Sequence, residues 1–271
     1  MPKAQSNGIE LYYEVHGEGQ PLVLISGIGY SSWQWHKMVP FLAEHFQVIT
    51  FDNRGVGQSD KPEGPYSSQL LAADTVGLLD ALNIDRAIIA GHSMGGFIAQ
   101  AIVLDHPQCV EKLILCSTNF GGPNHVPITP EAMKVLTDVT SDALTRFKNG
   151  LAISTAPGWA DKNPEMIDEW IKWRIANPIE PVHYQAQLAI GFALLPEEAA
   201  FENKLKNISV PTLILFGAHD KVVPMENADL LAKQLSGSQT RILPDAGHFF
   251  SLEVPEEASR VIIDFVKGGD S

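Results

Sequence analysis

The chain of 271 residues predicts an α/β protein: a mostly parallel eight-stranded sheet with helices on both faces and one helical insertion. Three observations carry that expectation. Six short apolar runs lack polar alternation, as strands buried on both faces do. Helix-length amphipathic stretches separate most of them, the rhythm of a parallel sheet. That rhythm breaks once, over a stretch too long for one crossover helix and implausibly long for a structureless loop.

In order, Asn7-Gly8 lies between Lys3–Ser6 and the alternating Ile9–Val15, a two-residue hairpin signal. The buried runs follow at Leu22–Ser26, Val48–Phe51, Ala87–Ala90, Leu113–Cys116, Leu213–Phe216 and Thr240–Leu243. Helices are expected over Trp33–His45, Ser68–Leu82, Met94–Asp105, Glu226–Leu235 and Glu256–Val266. Between Cys116 and Leu213 the pattern gives helices near Glu131–Asn149, Glu165–Ile175 and Pro181–Leu194, punctuated by Pro157, Pro164, Pro178 and Pro196. Three of the five tryptophans, Trp159, Trp170 and Trp173, fall in this stretch. The expected division is a core of residues 1–119 and 197–271, with 120–196 as a helical lid over one end of the sheet.

Composition narrows the function. Apolar residues make up 45% and charged residues 19%, ordinary for a globular domain and unlike a disordered or fibrous chain. A formal charge of −13, with no Lys/Arg run, repels nucleic acid and anionic membranes. The N-terminus shows no signal-peptide pattern, and no 18-residue apolar run occurs, so the expectation is a soluble cytoplasmic protein, a monomer or homodimer. Cys109 and Cys116 form neither a disulfide framework nor part of a Cys/His cluster. His92 and His219 lack any His-x-x-x-His spacing, so no metal is expected, and Gly55-Val56-Gly57 lacks the third Gly of a dinucleotide site. Glu197-Glu198 and Glu256-Glu257 read as solvated helix starts.

One pattern carries chemistry. Gly91-His92-Ser93-Met94-Gly95 follows a buried strand and opens a helix. Gly-x-Ser-x-Gly in that context forces a strained turn that lifts the serine oxygen clear of the sheet. A serine hydroxyl needs a base, and the base an orienting carboxylate. Asp220 follows the strand ending at Phe216, and His248 follows the strand ending at Leu243. In a parallel sheet those ends line one edge, so the three side chains can converge. Asp245, three residues before His248, is a rival acid.

These residues resemble those of the α/β-hydrolases. The likeness extends to Asp52-Asn53-Arg54-Gly55-Val56-Gly57-Gln58-Ser59, similar to the family's Asp-x-Arg-Gly-x-Gly-x-Ser loop, to Pro211…Gly217-Ala218-His219-Asp220…Pro224 and to Gly247-His248-Phe249. The resemblance implies Ser93 as nucleophile, His248 as general base and then acid, and Asp220 as orienting acid. It also implies an oxyanion hole from the backbone N–H groups of Ile28 and Met94. Many relatives carry His-Gly where this chain has Ser26-Gly27, which removes a loop brace and leaves the donor. Trp159, Phe192 and Phe249 are candidates to line the substrate pocket. Among serine-using branches the chain resembles small bacterial carboxylesterases and enol-lactonase-type lactonases. The implied partner is a small ester or lactone, with no cofactor. A C–C bond hydrolase, a perhydrolase and a slow-turnover small-molecule receptor use the same residues and stay open.

Overall fold

The computed structural model describes residues 2–138 and 140–268. Eight strands form one sheet: β1 (Lys3–Ser6), β2 (Ile9–His16), β3 (Pro21–Ile25), β4 (Gln47–Phe51), β5 (Ala87–His92), β6 (Val110–Cys116), β7 (Thr212–Gly217) and β8 (Gln239–Leu243). Their order is β1-β2-β4-β3-β5-β6-β7-β8. β1 and β2, and β2 and β4, pair antiparallel; the other neighbours pair parallel.

The unbroken apolar runs have a direct physical cause. Successive strand residues point to opposite faces, and here both faces are covered. Leu22, Leu24, Ile88, Ala90, Leu213 and Leu215 pack on one side with Leu42, Ile262 and Phe265. Val23, Ile25, Ile89, Leu113, Ile214 and Phe216 pack on the other with Leu71, Ile98 and Leu231. The helices supplying these partners are Val39–Leu42 and Pro255–Lys267 on one face, and Ser68–Ala81, Met94–Asp105 and Glu226–Gln234 on the other.

Strand order also places the site. From β3 the chain goes outward to β4, then returns past β3 to β5. Loops leaving the two sides of such a switch point diverge and open a crevice at the strand C-termini. Ile25 pairs with Gly91, so the loop after β3 and the turn after β5 leave the sheet side by side.

Between β6 and β7 lie helices Pro130–Leu136, Ala143–Ser154, Trp159–Lys162, Pro164–Ala176, Pro181–Ala193 and Glu202–Leu205. The helix expected over Glu131–Asn149 is therefore two. Asp142 ends the first possibility of continuity: its carboxylate accepts from the N–H groups of Leu144 and Thr145, capping a new helix start. The helix expected over Trp33–His45 is likewise replaced by a 3₁₀ turn, Ser32–Trp35, and the short Val39–Leu42. Pro40 has no N–H to give and its ring obstructs the carbonyl four residues back, so a continuous helix cannot pass through it. Trp33, Phe147, Leu151, Trp170, Phe249 and Leu252 form a third apolar cluster that joins these helices to the sheet-bearing body. Among the described residues, no helix is long and apolar enough to cross a membrane.

Candidate active site

Ser93 stands between β5 and the helix Met94–Asp105 at φ 55° and ψ −118°. That conformation is costly for a residue with a side chain and persists only where its surroundings enforce it. Here they do. The Ser93 N–H donates to the Cys116 carbonyl at 2.9 Å, and the Ser93 carbonyl accepts from Gly96 N–H and Thr118 Oγ1, each at 2.9 Å. The flanking glycines answer to close approach: a Cβ on Gly91 would meet the Gly95 carbonyl oxygen at 2.1 Å, and one on Gly95 the Ile25 oxygen at 2.3 Å.

Asp220 and His248 meet across the ends of β7 and β8. The two loops are joined where His219 N–H donates to the Ala246 carbonyl at 2.9 Å. His248 Nδ1 then lies 2.8 Å from Asp220 Oδ2, while Asp220 Oδ1 accepts from Val222 N–H at 2.9 Å and Val223 N–H at 2.8 Å. With one carboxylate oxygen anchored on two backbone donors, the other receives the imidazole N–H and fixes its tautomer. Asp220 is 6% and His248 4% exposed. Asp245 is exposed, so the rival acid does not take part in this contact. His219 is exposed too, and His92 is buried.

The loop after β3 is held by three side chains. Gly27 N–H donates to Gln34 Oε1 at 2.9 Å and Gly29 N–H to Gln187 Oε1 at 2.8 Å. Arg174 Nη1 donates to the Gly29 carbonyl at 2.6 Å and its guanidinium stacks 4.5 Å from the Tyr30 ring centroid. Ser26 Oγ, at the position of the absent His brace, accepts from Trp35 Nε1 and donates to the Ser31 carbonyl, each at 3.1 Å. Between the two occupied amides, Ile28 N–H has no hydrogen-bond partner among the described residues, nor does Met94 N–H at the helix start. The Asp52–Ser59 loop supports this region from below. Asp52 accepts from Ser32 N–H and Gln58 N–H, each at 2.7 Å, and burial raises its carboxyl above the usual range.

A cavity of 420 Å³ opens over these strand ends, and Ile28, Ser93, His248 and Phe249 line it. Its far wall comes from the segment between β6 and β7, through Val135, Leu136, Phe147, Arg174 and Tyr184 on helices and Ile179 on a connection. Of the three pocket candidates only Phe249 is on the wall. Trp159 packs against the Trp33–Trp170 cluster. Phe192 is 43% exposed. It lies eight residues, about two turns, beyond Tyr184 on the helix Pro181–Ala193, past the reach of the cavity.

Glu253 was not a sequence candidate. Its carboxylate accepts from Gly247 N–H at 2.8 Å and from Ala156 N–H at 2.5 Å, tying the loop of His248 to the end of the helix Ala143–Ser154. Burial pushes its carboxyl up to about 7, against the pull of those two donors. Phe249 N–H adds a second tie, to the Ser154 carbonyl at 2.9 Å.

A strand-to-helix serine turn at the switch point of such a sheet, with acid and histidine after later strands, defines the α/β-hydrolase class. The chain belongs to it: the family described as alpha/beta hydrolase fold matches residues 20–255. A 2-hydroxy-6-oxononadienedioate/2-hydroxy-6-oxononatrienedioate hydrolase from Paraburkholderia xenovorans (strain LB400) is 31% identical over 270 residues, covering 95% of this chain and 91% of that protein. The solved enol-lactonase from Burkholderia xenovorans LB400 matches with a TM-score of 0.80 at 27% identity, over 98% of this chain and 100% of its own. A solved N-acyl homoserine lactone degrading enzyme matches with a TM-score of 0.80 at 31% identity, over 97% and 100% of the two chains.

Proposed function

We propose that this α/β-hydrolase is a serine hydrolase that cleaves a carboxylic ester or lactone of a small, mostly apolar substrate through an acyl-enzyme. The observation that carries the reading is the 2.8 Å contact of His248 Nδ1 with Asp220, beside the cavity that Ser93 and His248 both line. With Nδ1–H donated to the carboxylate, His248 Nε2 is left as the base. It takes the Ser93 proton as Oγ attacks the carbonyl carbon. The N–H groups of Ile28 and Met94 receive the oxyanion, a stabilisation worth on the order of 10²–10³ in rate per donor. The tetrahedral adduct collapses, His248 hands its proton to the departing alkoxide, and an acyl-Ser93 remains. Water then repeats the sequence, with His248 as base, and releases the acid.

The apolar wall of Val135, Leu136 and Ile179 supports an apolar acyl or ring portion. On this reading residues 120–196 act as a lid that sets substrate choice. Likeness to two lactone-acting structures supports lactones beside open-chain esters. The 31% identity to a 2-hydroxy-6-oxo-acid hydrolase favours a second reading, carbon–carbon bond hydrolysis by the same three residues.

The test is turnover of short and medium p-nitrophenyl esters by wild type and Ser93→Ala side by side. Ser93→Ala is expected to lose about 10⁶-fold in kcat with an almost unchanged Tm. Activity of the variant close to wild type would refute the assignment. A single burst that stalls would favour a slow-turnover receptor. No ester turnover, with cleavage of a 2-hydroxy-6-oxo acid, would favour the second reading.

A further inference from the structure

We propose that Gln34 and His92 are positioning residues for the hydrolysis, forming a buried relay that locks the Ile28 loop to the loop carrying His248. The inference rests on the serine-hydrolase reading above.

The direction of each bond follows from one fixed donor. Gly27 N–H can only donate, so the Gln34 amide must turn its oxygen, 2.9 Å away, towards it. Gln34 Nε2 then faces His92 Nδ1 at 2.8 Å and donates to it. With Nδ1 an acceptor, the neutral His92 ring carries its proton on Nε2, which lies 2.8 Å from the backbone carbonyl of His248 and donates to it. Burial, reinforced by the neighbouring His248, holds His92 well below the ordinary imidazole range, so the ring is neutral as the relay requires. Gln34 is 0% exposed, and His92, which also borders the cavity, 1%.

The relay joins the two loops through hydrogen bonds, beside the ring contact of Tyr30 with Phe249 at 5.0 Å. Ile28 N–H follows Gly27 directly, and the ring of His248 hangs from the carbonyl-bearing residue at the far end. The backbone beside the oxyanion donor and the backbone of the base lie far apart in sequence but are linked by three hydrogen bonds, two of them made by the His92 ring. A misplacement of about 1 Å at such a centre costs on the order of 10²-fold in rate. Gln34 lies behind the cavity wall, so its effect acts through geometry.

The experiment compares wild type, Gln34→Leu and Gln34→Glu by kcat and KM on a p-nitrophenyl ester, by the rate of Ser93 labelling with a fluorophosphonate, by Tm and by ¹⁵N NMR of His92. Gln34→Leu is expected to lose about 10–10²-fold in kcat with KM within about twofold, and labelling should slow in parallel. In Gln34→Glu the ionised carboxylate cannot donate, so Nδ1 must carry the proton, whereas the protonated carboxyl accepts and donates as the amide does. The NMR spectrum should show a protonated Nδ1 and kcat should fall at a pH where the glutamate is ionised, and both should return towards wild type at lower pH. This variant keeps the size of the side chain and preserves the test if Gln34→Leu does not fold. Values of kcat and labelling rate within about twofold of wild type in a folded variant would overturn the proposal. So would an Nδ1–H tautomer in the wild type, a readout that needs no substrate. Loss of the function reading looks different: wild type and Ser93→Ala would then share one background rate and neither would label.

Discussion

The strand ends and the helices between β6 and β7 face one cavity from opposite sides, and they are built by different rules. On the strand side each chemical group hangs from a ladder: Ser93 from β5, Asp220 from β7 and His248 from β8, with Asp220 and His248 almost wholly buried. On the helical side part of the apolar surface faces solvent, with Ile175 65% and Val182 51% exposed. That side is held by side-chain and backbone ties rather than by a strand ladder. They include the Trp170 cluster, Arg174 and Gln187 on Gly29, Glu169 on His36 and Lys37, and Glu253 and Phe249 on Ala156 and Ser154. On the proposed function, the contrast teaches that reacting groups sit where strand ends fix them, while the surface that meets the rest of a substrate can change without disturbing them.

Four experiments would break or sharpen the contrast. Asp220→Asn should cost the most, about 10⁴-fold in kcat, because the wrong imidazole tautomer is then favoured, whereas Asp245→Asn should stay within about twofold. The reverse ranking would put the acid on the wrong strand. Trp170→Ala strikes the mooring. Its ring is 0% exposed and lies 5.3 Å from Trp33 and 5.4 Å from Phe249, centroid to centroid. A denaturant titration should show a loss of about 3–5 kcal/mol, and a loss below about 1 kcal/mol would mean that the helices do not depend on this cluster.

Glu253 gives the contrast a pH dependence. Its carboxyl sits at about 7 in the fold against an ordinary 4.5, so between these values the folded state holds more protons than the unfolded one. Stability from this group is therefore complete below about 4.5 and is lost as pH rises through about 7. The Tm of wild type should fall relative to that of Glu253→Gln across this window; a pH-independent difference would rule the group out. Smallest is Leu136→Ala on the helical wall, expected to shift kcat/KM roughly tenfold towards longer acyl chains with kcat for short esters unchanged. Equal losses on all chain lengths would mean that this wall also serves the chemistry.

The five central strands, β3 to β7, were legible because burial on both faces writes an apolar run into each, while β1 and β2 were legible from the hairpin signal at Asn7-Gly8; β8, at the sheet edge, is partly exposed and its run is shorter. Ser93, Asp220 and His248 were legible because a parallel sheet brings strand C-termini to one edge, so position after a strand stands in for position in space. Gln187 and Arg174 were not. Their partner Gly29 is 158 and 145 residues away, and nothing around either residue distinguishes it from any helical polar side chain. Gln34 hid behind a different error: Trp33–His45 read as one amphipathic helix, which would point Gln34 elsewhere, until Pro40 is given its full weight. Trp159 and Phe192 show the limit of aromatic composition as a guide. A ring earns a place in a pocket through its height along a helix, which the sequence states only once the helix's axis is placed.

The bond from Phe249 N–H to the Ser154 carbonyl has a use beyond architecture. Phe249 directly follows the histidine, and its amide hydrogen is shielded by a residue belonging to the helical side. On the lid reading proposed above, lifting of that side exposes this hydrogen, so its exchange for deuterium would report how often the cavity stands open, a gauge fitted by the fold itself beside His248.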